Sequence, residues 1–225
     1  MSVDASTDHL LFFTRYPTPG DVKSRLADEV GPARAAAAHD AMARYCLAAA
    51  DEAAVAMGAS VRVLITGATS TAAASWLGKH HRFIDQGDGG LGDRVHRALV
   101  ASVRQGARRI VVMGADCPAL TPALIAQGFA LLDECDVALG PAIDGGFYLF
   151  GLSAGAADQL PALMADLPWG TGAARAALER NAAGCGARIG MLPLHHDIDT
   201  LADIDPVRWP WLAAVTGLTG SSATA

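Results

Sequence analysis

Two hydrophobic rhythms alternate along the chain. Short continuous apolar runs, HLLFFTR (9–15), SVRVLITG (60–67), RRIVVMGAD (108–116), DVALGPA (136–142) and GGFYLFGL (145–152), have the length and β-branched or aromatic content of strands buried on both faces. HRFIDQ (81–86) predicts a short strand and ARIGMLPLHHDI (187–198) a last one. Between them lie segments of helical character. VKSRLADEV (22–30) follows the loop PTPGD, with a helix start near Asp21 or Val22, and Pro32 opens an alanine-rich helix running to about Met57. TSTAAASWLG (69–78) reads as a capped helix, and GDRVHRALVASVRQG (92–106) places Val95, Leu99 and Val103 on one face. Thr121 before Pro122 starts a helix over PALIAQGFALLDE (122–134), because the hydroxyl caps the first turn and proline suits the first helical position. Thr200 with Asp203 has the spacing of a capping box and predicts a closing helix.

Strands alternating with helices imply a three-layer α/β/α fold around a mostly parallel, Rossmann-like sheet. With 225 residues, 52% of them apolar, the chain is long enough for one domain with a substantial core, expected over 1–216, followed by a disordered tail of small polar residues over 217–225.

In such a sheet ligands sit outside the carboxyl ends of the strands, and three acidic loops fall there. They are GADCP with Asp116, GPAIDGG with Asp144, and HHDIDT with Asp197 and Asp199. Convergent carboxylates point to a divalent metal, Mg²⁺ or Mn²⁺, and a phosphorylated ligand. Asp116 would be poorly placed inside a strand but suits its exposed end, where Cys117-Pro118 forces a turn; a turn-stabilising role is the plainer reading. Asp197 and Asp199 alternate along an extended segment and so face one side, although Asp199 could simply assist the Thr200 cap. Basic residues gather near the first strand end as Arg15, Lys23 and Arg25, beside Gly20, whose bare backbone permits close approach of a pyrophosphate; the plainer reading is a solvated helix face paired with Asp28 and Glu29.

The formal charge of −6 argues against non-specific attraction to nucleic acid or anionic lipid. Cys46, Cys117, Cys135 and Cys185 are scattered and form no CxxC pair, so neither a zinc cage nor a disulfide framework is indicated, and they read as reduced, mostly buried thiols. With no membrane-length apolar stretch and no signal-peptide pattern in MSVDASTDH, a cytoplasmic protein is expected. Gly87, Gly89 and Gly92 spell GxGxxG, but they follow a short charged strand in mid-chain, out of context for a dinucleotide fingerprint. His80-His81 and His195-His196 are adjacent; on strands their rings would diverge, so neither pair should chelate one ion.

Taken in order, FFTRYPTPGDVKSRLA, QGDGGLGDR, GADCPAL, LGPAIDGGFYLFGL and DIDTLADI resemble the nucleotide-diphospho-sugar transferase superfamily with the glycosyltransferase-A fold, most closely its bacterial arsenosugar-biosynthesis branch. The likeness extends from about His9 to Trp211. It implies that Pro19, Gly20, Lys23 and Arg25 hold nucleotide phosphates, that Gly87 and Asp88 border the nucleotide, and that Asp116, Asp197 and Asp199 ligate the metal. It further implies that the Asp144-Gly145-Gly146 turn faces the sugar or acceptor, with Trp169 and Thr171 on the acceptor side. Arg15 and Phe147 stand where the family often has lysine and tyrosine.

The function expected is metal-dependent transfer of a sugar from a nucleotide-diphosphate sugar to a small-molecule acceptor, with Asp144 as base. A guanylyltransferase-like nucleotidyltransferase that condenses an NTP with a phosphorylated acceptor and releases pyrophosphate is the alternative, and a degenerate nucleotide-binding protein a third reading. Sugar transfer is preferred because the surroundings of DGGFYLFG are apolar and acidic, not basic.

Overall fold

A computed structural model describes residues 7–218. Seven strands form one sheet: β1 (Asp8–Arg15), β2 (Ser60–Thr66), β3 (Arg82–Asp85), β4 (Arg109–Met113), β5 (Val137–Pro141), β6 (Phe147–Ser153) and β7 (Ile189–Met191). Their order is β3-β2-β1-β4-β6-β5-β7, all pairings being parallel except those of β6 with β4 and β5. The helices are α1 (Ser24–Val30), α2 (Pro32–Met57), α3 (Ser70–Leu77), α4 (Leu91–Arg104), α5 (Pro122–Leu131), α6 (Leu160–Leu163), α7 (Ala174–Cys185) and α8 (Pro210–Thr216), with 3-10 turns at Ala154–Gln159 and Leu201–Asp203.

Continuous apolar strands arise because both faces of the sheet are covered. Leu10 and Phe12 of β1 pack into one core with Ala38 and Met42 of α2, Ile125 of α5 and Leu212 of α8. Leu11 and Phe13 point the other way, toward Val95 and Leu99 of α4, Leu163 of α6 and Leu178 of α7. β4 divides in the same manner, Val111 and Met113 against Ile110 and Val112. The period-2 geometry of a strand therefore serves two cores at once. Among the described residues no helix is long and apolar enough to cross a membrane.

This topology positions the site. From β1 the chain winds outward to β2 and β3, then returns to place β4 on the opposite side of β1. Strand order reverses between β1 and β4, which opens a crevice at their carboxyl ends. The loop carrying Lys23 follows β1, and Asp116 follows β4.

Several expectations need correction. The first helix begins at Ser24, later than Asp21 or Val22, because Lys23 adopts a left-handed backbone (φ 50°) that interrupts helical geometry. The Thr200–Asp203 motif caps one 3-10 turn, not a helix: Asp205 precedes Pro206, which disfavours helical backbone, and the closing helix waits until Pro210. β7 is shorter than 187–198, since Pro193 lacks the N–H a ladder needs. Helix α7 was not anticipated; its alanines and Leu178 bury one face of an otherwise polar segment. At the C-terminus Gly217 ends α8 and Leu218 packs on the core, while the rest of the expected tail lies outside the described residues.

Candidate active site

The centre of the site is an ammonium group shared by two carboxylates. Lys23 Nζ lies 2.6 Å from Asp116 Oδ1 and 3.0 Å from Asp199 Oδ1, and donates to the Ile198 carbonyl at 2.6 Å. Its side chain is 5% exposed. The left-handed conformation at Lys23 turns the side chain inward from the start of α1 instead of along its solvent face. Asp116 is held opposite because the Ile198 N–H donates to its carbonyl at 2.9 Å, stitching the last acidic segment to the end of β4. Arg25 reaches Asp199 Oδ2 at 3.4 Å from the solvent side.

Burial alone would push the Lys23 ammonium down, but the charges of Asp116 and Asp199 outweigh it and hold the pKa above its usual value. Burial would raise Asp116, yet Lys23 keeps it below the ordinary carboxylate range. Asp116 is divided by position: Oδ1 is buried against Lys23, while about half of the side chain (49%) remains accessible from the clefts.

Asp197 differs. Its Oδ1 is buried with no hydrogen-bond partner. Burial, then the negative charges of Asp116 and Asp144, push its pKa up to about 6. Its neighbour Cys117 is raised to about 12 by burial and by Asp197. A buried, orphaned carboxylate oxygen among other carboxylates is the environment that a bound cation relieves. The all-oxygen donors of Asp116, Asp197 and Asp199 fit a hard divalent ion such as Mg²⁺ or Mn²⁺. The three do not close into a cage, however: Lys23 stands between Asp116 and Asp199. Among the described residues, the set of three potential ligands within 4.8 Å of one another is Asp51, His80 and His81.

Two clefts meet at this ion pair, and Arg25, Asp116 and Asp199 line both. One, of about 330 Å³, gathers the basic side chains Arg15, Lys23 and Arg25 against Asp21, Asp116 and Asp199, with Ser24 and His39 in its wall. The other, of about 320 Å³, is aromatic and acidic, with Phe13, Phe147, Trp169, Thr171, Asp144 and Asp197. Arg25 is the one cationic side chain in that second lining. Phe147 and Trp169 meet edge to face with centroids 5.4 Å apart. Trp169 lies so close to α4 that a Cβ on Gly92 would come within 2.5 Å of its indole nitrogen.

The Asp144 turn is fixed by backbone contact. Gly146 N–H donates to Asp144 Oδ1 at 2.8 Å, and Arg175 N–H donates to the Gly145 carbonyl at 3.1 Å. Gly145 has φ 89°, and a Cβ there would sit 2.0 Å from the Gly172 carbonyl oxygen. Only glycine lets the turn approach the Thr171 loop so closely.

The structure thus brings together Arg15, Lys23, Arg25, Asp116, Asp144, Gly146, Trp169, Thr171, Asp197 and Asp199. It leaves Pro19, Gly20, Gly87, Asp88 and Gly145 out of both cleft linings. At the GDGGLGD loop the reason is visible: Arg97 donates to the Gln86 and Asp88 carbonyls, and Arg94 donates to the Gly89 carbonyl at 2.9 Å, so α4 ties the loop down. Sequence reasoning missed His39, whose Nε2 lies 2.9 Å from the Arg15 carbonyl and whose Nδ1 lies 4.0 Å from Asp116 Oδ1. Burial lowers its pKa, favouring the neutral ring. A lone histidine in an alanine-rich helix was the available signal.

The histidine pairs divide. His195 packs on Tyr148 while His196 lies 3.3 Å from Asp203, so these two diverge as expected. His80 and His81 do not: they occupy a turn before β3, where strand alternation does not apply, and their ring centroids are 3.9 Å apart.

Among solved structures, a candidate nucleotide-diphospho-sugar transferase from Desulfovibrio desulfuricans G20 is 26% identical, with a TM-score of 0.80 over 96% of this chain and 90% of that one. A nucleotidyl transferase from Methanothermobacter thermautotroptrophicus (17% identity, TM-score 0.57, 94% and 99% coverage) and the inositol-1-phosphate CTP transferase from T. maritima (10%, 0.58, 98% and 98%) share the fold. The fold is that of the nucleotide-diphospho-sugar transferases. No curated protein matches the sequence. Residues 48–171 match DUF2064, described as an uncharacterized protein conserved in bacteria, and the chain belongs to that family.

Proposed function

We propose that this protein is a divalent-cation-dependent glycosyltransferase that moves a sugar from a nucleotide-diphosphate donor to a small-molecule acceptor. The observation that carries the reading is the Lys23–Asp116–Asp199 cluster between a basic and an aromatic cleft. The basic cleft suits the diphosphate, since Arg15, Lys23 and Arg25 supply fixed positive charge. The aromatic cleft suits a sugar and acceptor: ring faces such as Phe147 and Trp169 cover apolar sugar faces, while Asp144 and Thr171 offer hydrogen bonds. A phosphorylated acceptor, which nucleotidyl transfer requires, would meet one arginine and four carboxylates there, a poor electrostatic match. The likeness to the Desulfovibrio protein supports the same direction, and the five ordered motifs support the arsenosugar-biosynthesis branch.

Mg²⁺ or Mn²⁺ bound by Asp116 and Asp199, with Asp197 completing the set, would neutralise charge on the departing phosphate. Lys23, in contact with both Asp116 and Asp199, would add a fixed positive charge beside the phosphates. Asp144 accepts the proton of the acceptor hydroxyl as its oxygen bonds to the sugar C1. The C1–O bond to phosphate breaks with its electron pair on the phosphate oxygen. The packing of Gly145 against Gly172 fixes the Asp144 turn relative to Thr171. The expected setting is the cytoplasm, where Cys46 and Cys117 stay reduced.

The test is product analysis with a panel of nucleotide sugars and of nucleoside triphosphates, each with Mg²⁺ and acceptor candidates. Release of nucleoside diphosphate from a nucleotide sugar supports the proposal. Pyrophosphate release from a triphosphate and a phosphorylated acceptor would replace it with nucleotidyl transfer, and no turnover or nucleotide binding would favour a degenerate protein.

A further inference from the structure

Remote from the clefts, three ligand-type side chains converge where α2 meets the turn between α3 and β3. Gly78 ends α3 with φ 100°, and the chain passes through Lys79, His80 and His81 before β3 begins. A Cβ on Gly78 would come within 2.9 Å of His80 Cε1, so the bare backbone leaves the room this ring occupies. Asp51 of α2 faces both rings. Its two oxygens each lie 3.0 Å from His81 Nε2, and Oδ2 lies 3.9 Å from His80 Nε2.

We propose that Asp51, His80 and His81 form a binding site for a borderline-soft divalent transition ion, of which Zn²⁺ is the type. Two imidazole nitrogens and one carboxylate are donors that favour Zn²⁺ and its neighbours over Mg²⁺. With metal–donor bonds near 2.0–2.1 Å, tetrahedral donors stand about 3.3 Å apart, and the distances of 3.0 and 3.9 Å bracket that spacing. The His81 side chain is 4% exposed, and its contacts hold the ring with Nε2 toward Asp51. His80 is 72% exposed and leaves an open side for entry of the ion and for a water as fourth ligand.

A simple histidine–aspartate ion pair would need one imidazole. An ion uses the ring nitrogens of both, and their ring centroids lie 3.9 Å apart. The site is distinct from the cleft: Asp51 lies twelve residues along α2 from His39, which faces Asp116, or about 18 Å along the helix axis. An ion there would clip α2 to the connection entering β3, a four-residue strand at the edge of the sheet. The expected role is bracing of that edge, not catalysis.

The test is calorimetric titration of the tag-free full chain with Zn²⁺ in excess Mg²⁺, alongside the visible absorption of bound Co²⁺. One equivalent of Zn²⁺ should bind and raise the melting temperature. The affinity should fall by at least roughly tenfold, the loss that even outer-shell changes cause at metal sites, in both His80→Ala and Asp51→Asn. Asp116→Asn should leave it unchanged. Exposure of His80 makes His80→Ala safe for folding, which circular dichroism checks. Absence of Zn²⁺ binding, binding unaltered in His80→Ala and Asp51→Asn, or binding abolished by Asp116→Asn would each overturn the proposal.

Discussion

The Lys23 ammonium sits 2.6 Å from Asp116 Oδ1, joining the loop after β1 to the end of β4 across the point where strand order reverses. This pair holds the site together and marks where positive charge is needed. Removing one partner leaves the other partly desolvated and uncompensated. Lys23→Met should therefore cost about 2 kcal/mol in urea unfolding, below the usual loss for a fully buried pair because Asp116 is half accessible. Mg²⁺ should restore part of it. A variant as stable as wild type in chelator would remove the pair from any structural role.

Asp197 gives the pH dependence its sign. With its carboxyl raised to about 6, the folded state holds the proton more tightly than the unfolded chain. That contribution is full below the ordinary carboxylate range near pH 4 and is lost as pH rises through 6. In chelator, wild type should lose stability relative to Asp197→Asn between about pH 4 and 6, roughly the span separating the two values, and Mg²⁺ should cancel the loss. His39, lowered by burial, acts in the opposite sense near this window, so the difference between the two proteins is the quantity to read. Parallel melting curves across that range would count against the assignment.

Gly145→Ala probes the acceptor-side turn. The added methyl meets the Gly172 carbonyl at 2.0 Å, at a positive φ that alanine resists. We expect about 2 kcal/mol of destabilisation or more from strain and overpacking, with turnover reduced and nucleotide affinity retained. Unchanged turnover would separate the turn from the reaction.

Trp169→Ala tests the aromatic wall. Losing the indole should raise the acceptor KM roughly tenfold, the scale of one lost aromatic contact of about 1.4 kcal/mol, while nucleotide diphosphate affinity stays unchanged. A nucleotide-binding defect of equal size would place the base, not the acceptor, in that cleft.

Much of the fold was legible because strands buried on both faces carry unbroken apolar runs: HLLFFTR and RRIVVM declare themselves by serving two cores. The acidic loops were legible for a related reason, since a carboxylate ending such a run is carried to the sheet's ligand-binding edge. What stayed hidden depends on contacts distant in sequence. Nothing local announces that Lys23 turns inward, because its partners Asp116, Ile198 and Asp199 arrive from later strands. The Thr200–Asp203 motif was local and present, yet Pro206 limits it to one turn. His80 and His81 were misjudged because strand alternation was extended one turn too far toward α3.

The central claim is that a divalent cation and a nucleotide diphosphate are held jointly at Asp116 and Asp199. Calorimetric titration of wild type, Asp116→Asn and Asp199→Asn with nucleoside diphosphates of each base, with and without Mn²⁺, tests it most directly. The account predicts that one diphosphate binds wild type at least roughly tenfold more tightly with Mn²⁺ present, a coupling of about 1.4 kcal/mol or more, and that either substitution abolishes this gain in a folded protein. Equal binding with and without the ion, or an undiminished gain in both variants, would contradict it.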